Sequence, residues 1–567
     1  MSENFIRLPL LNDYVDHWAE KKPEAEVMIQ HETGRKVTYA QFKEMSDALA
    51  LQLLAMGVQA GDRVATMMLL SPEHMALMYA CSRIGAICAP LDVRLQDQEV
   101  VRDLSKIDPC ILFILGKTPL RDFTTAAKAA LDNCPSIKHL VQAPLGFGDD
   151  EIMEGAKSLP LLLDPEAVAS LVEANKQTQA LEKAWRAVTP LTPTLIIFTT
   201  GTTGAPKPAL LTHECIIVQN EVLARGVNCN LDDDNRILIN LPPSHVACVT
   251  ECFMTIFALG GCAVCLMIFD PKTTLDAVQA HKVNFLGMIP TQFRMLWAVP
   301  GYDDYDLSSL KRVVYAGAAA DLPFLQRLSK MAPEFYTGIG MTENAGFATM
   351  TPKGISPEEM VGQVGQAFAD LAEVSIRKPM NVDGTAGEAL PDGEMGEICY
   401  HPPIVFAGYF NMPEETAKTV SKEGILYTGD LGFFQDKGSY RALRLAGRKK
   451  FIVKQKGYNV FPDEVEDHIA RLEKVAVAQV VGAPHEMFDE GLLAFVQPKP
   501  GKDLVAEEVM EHCKGIASYK RPQHVVIWPG DEPFPITRTA KVDKMALKAN
   551  ALEVIESLRA QGGWDKA

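Results

Sequence analysis

From Arg63 onward, short apolar runs alternate with amphipathic helical stretches, and this alternation limits what the chain can fold into. VATMML reads as a strand, SPEHMALMYACSRIGA as a helix, ICAPL as a strand, LQDQEVVRDLSKID as a polar helix and CILFIL as another strand. Continuous apolar strands separated by helices are covered on both faces, so the pattern predicts βαβ units and a parallel sheet. The order recurs from Arg236 as RILINL, a helix from His245 to Leu259, then CAVCLMIF. The likeness of RVATMML…IGAICAPL to RILINL…LGGCAVCL predicts two similar α/β halves. VNFLGMI, the strand ending RVVYAG and a helix from Leu322 to Met331 add further units.

After about Met350 the texture changes. Gly, Pro and Asp punctuate short runs such as AEVSI and GEICY, which predicts a smaller β-rich subdomain. A second change at GRKKFIVKQKGYNVFPDEVEDHIARL opens a small α+β segment, and the boundary is set at Arg448 to Lys450. A chain of 567 residues is too long for one core. The expected organisation is α/β: an N-terminal domain over 1–449, with two similar sheet subdomains and a β-rich one, and a small mobile α+β domain over 450–567. The polar stretch from Leu145 to Lys183 reads as irregular surface elaboration.

A formal net charge of -17 repels phosphate backbones and argues against a nucleic-acid partner. It leaves room for a small anion held by a few local cations and N–H groups. The first residues, MSENFIRLPLLNDYVDHW, lack the basic start and apolar run of a secretory signal. The longest apolar stretch, Phe253 to Phe269, is split by Gly260-Gly261 into pieces too short for a bilayer, so it predicts a buried helix and strand and no membrane insertion. The 12 cysteines sit mostly in apolar runs, the pattern of reduced thiols in a cytoplasmic protein, and Cys262-x-x-Cys265 has no second pair to make a metal site.

The strongest local chemistry is LIIFTTGTTGAPKPALLTH. A strand enters a loop of Thr199, Thr200, Gly201, Thr202, Thr203 and Gly204, followed by Lys207, and a helix is expected next. Gly lets several N–H groups face one anion, Thr hydroxyls add donors, and Lys adds a full charge. The spacing breaks the Walker A pattern, so this is a polyphosphate cradle of another kind. Taken alone, it is equally a Thr-rich exposed turn.

FTTGTTGAPK resembles the signature loop of the acyl-adenylate-forming superfamily, which includes acyl- and aryl-CoA ligases, peptide-synthetase adenylation domains and firefly luciferase. Four more elements resemble that family in the right order: Gly338-Ile339-Gly340-Met341-Thr342-Glu343, Tyr427-Thr428-Gly429-Asp430, Gly447-Arg448 with KGYNVFPDEVE, and PITRTAK ending at Lys541. The resemblance implies ATP, Mg²⁺ and coenzyme A as cosubstrates. It implies Glu343 as the Mg²⁺ ligand, Asp430 and Arg448 as ribose ligands, and Gly317, Ala318 and Ala319 as the small-residue strand against which adenine packs. On residue type alone, Glu343 is also an ordinary surface acid, Asp430 a turn residue bonding its own backbone, and Arg448 one charge in a basic run.

By the same resemblance Lys541 reaches in from the C-terminal domain and bridges acid and α-phosphate. The acid is already ionised, so its attack needs charge neutralisation more than a base. Residue type alone makes Lys541 a solvated lysine. Lys450 resembles the hinge about which the C-terminal domain swings between half-reactions, bringing Lys456 and Gly457 to the site for the pantetheine arm. His245 matches the position beside the acyl carboxylate; as a lone His at a helix start it is also a capping residue. Val246 to Glu251, Ala318 to Ala320 and Gly338 to Ile339 are expected to line an acyl pocket. Their mostly small or aliphatic side chains leave room for a medium-chain, alicyclic or aromatic acid.

Four positions depart from the family pattern. Pro208 removes a backbone donor after the loop lysine, Ile339 replaces an aromatic, Phe451 stands where an acid is frequent, and Ala540 replaces a Gly before Lys541. The expected function is an AMP-forming carboxylic acid–CoA ligase. The alternatives are an adenylate former that loads a separate carrier protein and a non-catalytic nucleotide- or acyl-binding descendant. The oligomeric state is open.

Overall fold

Two seven-stranded sheets carry the first three hundred and forty residues. One runs in the order Lys157–Ser158, His139–Ala143, Ile111–Leu115, Arg63–Met67, Ile87–Pro90, Pro193–Phe198, Pro208–Thr212. The other runs Glu334–Thr337, Arg312–Tyr315, Phe285–Met288, Arg236–Ile239, Cys262–Cys265, Glu26–Gln30, Arg35–Thr38. In each, every neighbouring pair is parallel except the last, which is antiparallel. The computed structural model describes residues 5–144, 151–199, 206–231, 233–318, 320–455, 458–487, 489–537 and 542–565.

The two halves seen in the sequence are the two sheets, register for register. Arg63 pairs with Ile87 and Val64 with Cys88; Arg236 pairs with Cys262 and Ile237 with Ala263. On the other side, Val64 pairs with Ile111 and Ile237 with Phe285. The second sheet borrows its last two strands, Glu26–Gln30 and Arg35–Thr38, from near the start of the chain.

Helices Tyr39–Ala55, Pro72–Arg83 and Ala247–Ala258 pack together through Phe42, Tyr79, Phe253 and Phe257, whose ring centroids lie between 5.0 and 6.2 Å apart. Burying each such ring stabilises by roughly 1.5–3 kcal/mol. The run from Phe253 is, as expected, helix and then strand. Gly260 adopts a φ of +66°, and a Cβ there would sit 3.0 Å from the Trp18 ring, so the turn between the two requires glycine.

Three local readings change. Lys207 is followed by a strand, Pro208–Thr212, before the helix His213–Gly226 begins. Pro208 opens that strand, a position where a missing N–H costs least. The stretch read as irregular surface holds two surface helices, Pro165–Thr178 and Ala180–Arg186, with no buried residue in either. The helix after His245 opens as a π-helix, Ala247–Met254, a form that concentrates at functional sites.

The strands Val374–Arg377, Gly396–Tyr400, Leu426–Asp436 and Arg441–Arg448 form the antiparallel sheet of the β-rich region. Beyond it, Val453–Gln455, Tyr458–Val460, Val475–His485, Asp489–Pro498 and His524–Ile527 form a five-stranded sheet. Helices Pro462–Ile469, Ala506–His512 and Lys544–Ala560 accompany it. The hydrophobic clusters of this last part draw only on residues from Val453 onward. All 12 cysteines are free thiols, and burial pushes Cys262 up to about 12. Among the described residues no helix is long and apolar enough to cross a membrane.

Candidate active site

Tyr315 and Thr337 pair at the ends of adjacent parallel strands, so the segments after them leave the sheet side by side. Ligands of open α/β sheets bind at such carboxyl ends. Gly317, with a φ of +85°, and Ala318 are exposed there; Ala319 lies outside the described residues. Gly338 and Ile339 are buried, and a hairpin follows in which Gly340–Met341 pairs with Gly346–Phe347. A Cβ on Gly340 would lie 1.7 Å from the Gly346 carbonyl oxygen, so only glycine lets these strands approach.

The hairpin's tip is the single turn Thr342–Asn344. The Met341 N–H donates to Asn344 Oδ1 at 2.7 Å and fixes that turn. It turns Glu343 inward, leaving it 6% exposed, which overrides the surface-acid reading. The Tyr409 hydroxyl donates to Glu343 Oε1 at 2.7 Å. Burial raises the Glu343 pKa; the Tyr409 hydrogen bond and the charges of Arg448 and Lys207 pull it back. A buried carboxylate that burial alone disfavours is suited to a cation. One carboxylate plus substrate phosphates and waters is the ordinary way to hold Mg²⁺, so the residue fits that ion.

The Thr- and Gly-rich loop after the strand Pro193–Phe198 is described only at its ends. The Thr199 N–H donates to the Lys207 carbonyl at 2.9 Å, and the Lys207 N–H to Thr199 Oγ1 at 3.4 Å, closing its base. Thr200, Gly201, Thr202, Thr203 and Gly204 lie outside the described residues. The Lys106 ammonium donates to the Pro206 carbonyl and anchors the loop's exit to the helix Asp97–Ile107. The Lys207 ammonium sits 5.0 Å from the centre of the Tyr409 ring and 2.7 Å from Glu415 Oε2.

Asp430 and Arg448 face each other across the antiparallel strands Leu426–Asp436 and Arg441–Arg448. Arg448 Nε donates to Asp430 Oδ1 at 2.7 Å, and its terminal nitrogen to Oδ2 at 3.5 Å. Asp430 is buried, whereas the Arg448 side chain is 44% exposed. The carboxylate of Asp430 raises the Arg448 pKa, and Glu343 adds to that effect. The charges of Arg448 and Lys207 both act on Glu343, and Arg448 is itself paired with Asp430. The structure therefore gathers Lys207, Glu343, Asp430 and Arg448 around one place.

His245 Nδ1 accepts from the Ala247 N–H at 3.1 Å, the helix-start contact considered for a lone histidine. Behind it the Thr250 hydroxyl donates to the Ala345 carbonyl at 2.6 Å, tying the π-helix to the Glu343 turn. Lys450 is exposed in the short turn Lys449–Phe451, and its neighbour Lys449 pairs with Glu397 at 3.0 Å. Lys456, Gly457, Ala540 and Lys541 lie outside the described residues.

Sequence reasoning missed Tyr409 and Glu415, both in AGYFNMPEETA. Each acts through a partner far away in the chain, and only an aromatic after Gly408 in a loop hinted at either. Met341 and Thr342 are partly exposed at the mouth of the hairpin, with no further role given by their contacts.

Residues 15–410 match the AMP-binding enzyme family, and residues 464–541 match that family's C-terminal domain. The chain is 29% identical to the indoleacetate–CoA ligase of Aromatoleum aromaticum, over 94% of this chain and 96% of that one. It is 25% identical to a mitochondrial medium-chain acyl-CoA ligase of Macaca fascicularis, over 94% of this chain and 85% of the relative. In fold it is similar to an anthranilate CoA ligase solved with anthranoyl-AMP, with a TM-score of 0.79 at 19% identity, covering 96% and 98% of the two chains. The chain belongs to the AMP-binding enzyme family, the adenylate-forming ligases whose acyl-CoA synthetase members work with ATP, Mg²⁺ and coenzyme A.

Proposed function

We propose that this enzyme joins a medium-chain, alicyclic or aromatic carboxylic acid to coenzyme A in two steps. The carboxylate attacks the α-phosphorus of ATP, forming acyl-AMP and expelling pyrophosphate. The thiol of coenzyme A then attacks the acyl carbon and AMP leaves. The observation that carries this reading is that buried Glu343 lies within electrostatic reach of Lys207 and of Arg448, which pairs with Asp430, while Tyr409 meets both Glu343 and Lys207.

In that scheme Lys207 and the N–H groups beside it bind the polyphosphate, and Asp430 with Arg448 holds the ribose. Glu343 is the residue that would hold Mg²⁺, which when bound neutralises phosphate charge. Lys541 bridges carboxylate and α-phosphate in the first step. The boundary at Arg448–Lys450 divides an N-terminal domain, 1–449, from a C-terminal one, 450–567, which swings about Lys450. The swing exchanges Lys541 for Lys456 and Gly457. His245 borders the acyl carboxylate. Small and aliphatic side chains at 246–250 and 338–339 support the choice of acid, as do relatives named for indoleacetate and medium-chain acids.

The test is pyrophosphate release over a panel of acids, followed by thioester formation with coenzyme A. Release with aromatic, alicyclic or C6–C12 acids and thioester product is the expected result. No release with any of these acids overturns the reading; release without thioester would point instead to a carrier protein as acceptor.

A further inference from the structure

The contact between Lys207 and Glu415 is not what a phosphate-binding lysine needs. A cation that must meet a triphosphate is here already neutralised by a carboxylate, with Lys207 Nζ 2.7 Å from Glu415 Oε2. The other oxygen, Oε1, is 2.5 Å from Lys418 Nζ, three residues on. Hydrogen bonds from the two ammonium groups lower the Glu415 pKa to about 2, so its charge is present at every physiological pH. The two lysines differ in surroundings: the Lys207 side chain is 18% exposed, and that of Lys418 is 68% exposed.

The place of Glu415 in the fold makes this pairing consequential. It lies on the short helix Pro413–Ala417, in the segment that also supplies Tyr409. The Tyr409 N–H donates to Thr416 Oγ1 at 2.9 Å, and Thr416 Oγ1 donates to the Met412 carbonyl at 3.0 Å. One folded loop therefore presents a donor to Glu343 and an acceptor to Lys207. An ammonium has three donors and no acceptor, so a phosphate can recruit Lys207 only by sharing those donors with Glu415 or by replacing it. Sharing sets two anions side by side, which is unfavourable.

We propose that Glu415 is a resident counter-ion that occupies Lys207 in the nucleotide-free enzyme and is exchanged for the triphosphate of ATP. On exchange Glu415 gives up Lys207 and keeps Lys418, its other partner, so no charge is left stranded. Glu415 thereby sets the ATP affinity of the site, and Lys418 sets how readily Glu415 lets go. The inference rests on the reading of Lys207 as a polyphosphate ligand.

Titration of MgATP into the full-length enzyme by calorimetry, in the absence of acid, tests it. Glu415→Gln should tighten ATP binding about 1.5- to fivefold, a scale set by partly exposed ion pairs. Lys418→Met should act in the opposite direction and weaken ATP binding, because Glu415 then has only Lys207. In a Lys207→Met background, Glu415→Gln should change little. If Glu415→Gln weakens ATP binding while Lys207→Met also weakens it, Glu415 orients the lysine productively and the exchange is overturned, with the role of Lys207 intact. If Lys207→Met leaves ATP binding unaltered, the phosphate role of Lys207 fails and the exchange fails with it.

Discussion

Tyr409 donates its hydroxyl hydrogen to the buried carboxylate of Glu343 at 2.7 Å, across 66 residues of sequence. The contact orients an acid that burial would otherwise drive toward its neutral form. Without it, one oxygen of Glu343 loses a partner inside the protein, at a cost of about 1–3 kcal/mol. Tyr409→Phe keeps the ring beside Lys207 and removes only the hydroxyl. If Glu343 holds Mg²⁺ as proposed, the expected outcome is a rise of roughly 10–100-fold in the Mg²⁺ concentration needed for half-maximal pyrophosphate release, the usual scale for a partner of a metal ligand. An unchanged Mg²⁺ dependence would show that the hydroxyl only packs.

Lys541→Ala separates the half-reactions. If Lys541 bridges carboxylate and α-phosphate, its loss should abolish acyl-AMP formation while sparing thioester formation from supplied acyl-AMP. The first is read as pyrophosphate release, the second as coenzyme A consumption. A loss of about 10³-fold or more in the first step fits an electrostatic contact made chiefly in the transition state. Equal loss in both steps would contradict the role.

Much of the fold is legible in the sequence alone. The repeat of RVATMML and RILINL appears in the register itself, because a strand buried on both faces must read as an apolar run wherever it recurs. Glu343, Asp430 and Arg448 stand out in the sequence through the family resemblance, and the structure pairs the first with Tyr409 and the other two with each other. What stayed hidden depends on distance along the chain. The strand Pro208–Thr212 exists because it pairs with Pro193–Phe198, and nothing local to a proline announces it. Helices Pro165–Thr178 and Ala180–Arg186 bury no residue fully; Val168 and Leu171 in the first and Leu181, Ala184 and Trp185 in the second are only half-buried, a weak apolar stripe inside a polar stretch. Glu415 lies 208 residues from Lys207 and looks like one more acid on a helix.

Two buried histidines make the fold sensitive to acid. His74 Nδ1 bonds the Leu69 carbonyl at 3.1 Å and must carry the hydrogen there, so Nε2 accepts from the Thr66 hydroxyl at 2.7 Å. Burial lowers its pKa to about 4, and it lowers that of His213 to about 3. The unfolded chain takes up these protons near pH 6.5. Stability is therefore full above that value and is lost as pH falls toward 4 and then 3. His74 alone should account for about 3 kcal/mol of that loss. Urea unfolding from pH 7 to pH 4 checks this, and His74→Gln should flatten the slope between pH 6.5 and 4. A slope identical to the parent's would remove His74 from the account.

The last part of the chain holds its own buried charge cluster. Lys544 Nζ lies 2.9 Å from Asp463 Oδ1 and 2.8 Å from Glu466 Oε1, with side-chain exposures of 15% for Lys544 and 13% for Glu466. The Val480 N–H also donates to Glu466 Oε1 at 2.7 Å. Burial raises the Glu466 pKa, and Lys544 opposes that rise. Lys544→Met removes the opposing charge and strands the buried carboxylate of Glu466, while that of Asp463, 44% exposed, stays hydrated. Breaking a buried pair by removing one partner costs about 3–5 kcal/mol. A carboxylate whose folded pKa is raised incurs no penalty while both states are protonated, below its ordinary value. The penalty grows as pH climbs toward and past the raised value. The variant should therefore be least stable near pH 8 and should recover toward pH 5, with thermal unfolding of the full-length enzyme as the measurement. The parent keeps the cation and should lose less over that interval. A variant equally destabilised at both ends would mean that Lys544 contributes through the packing of its aliphatic stem against Phe451, whose ring centre lies 5.8 Å from the ammonium.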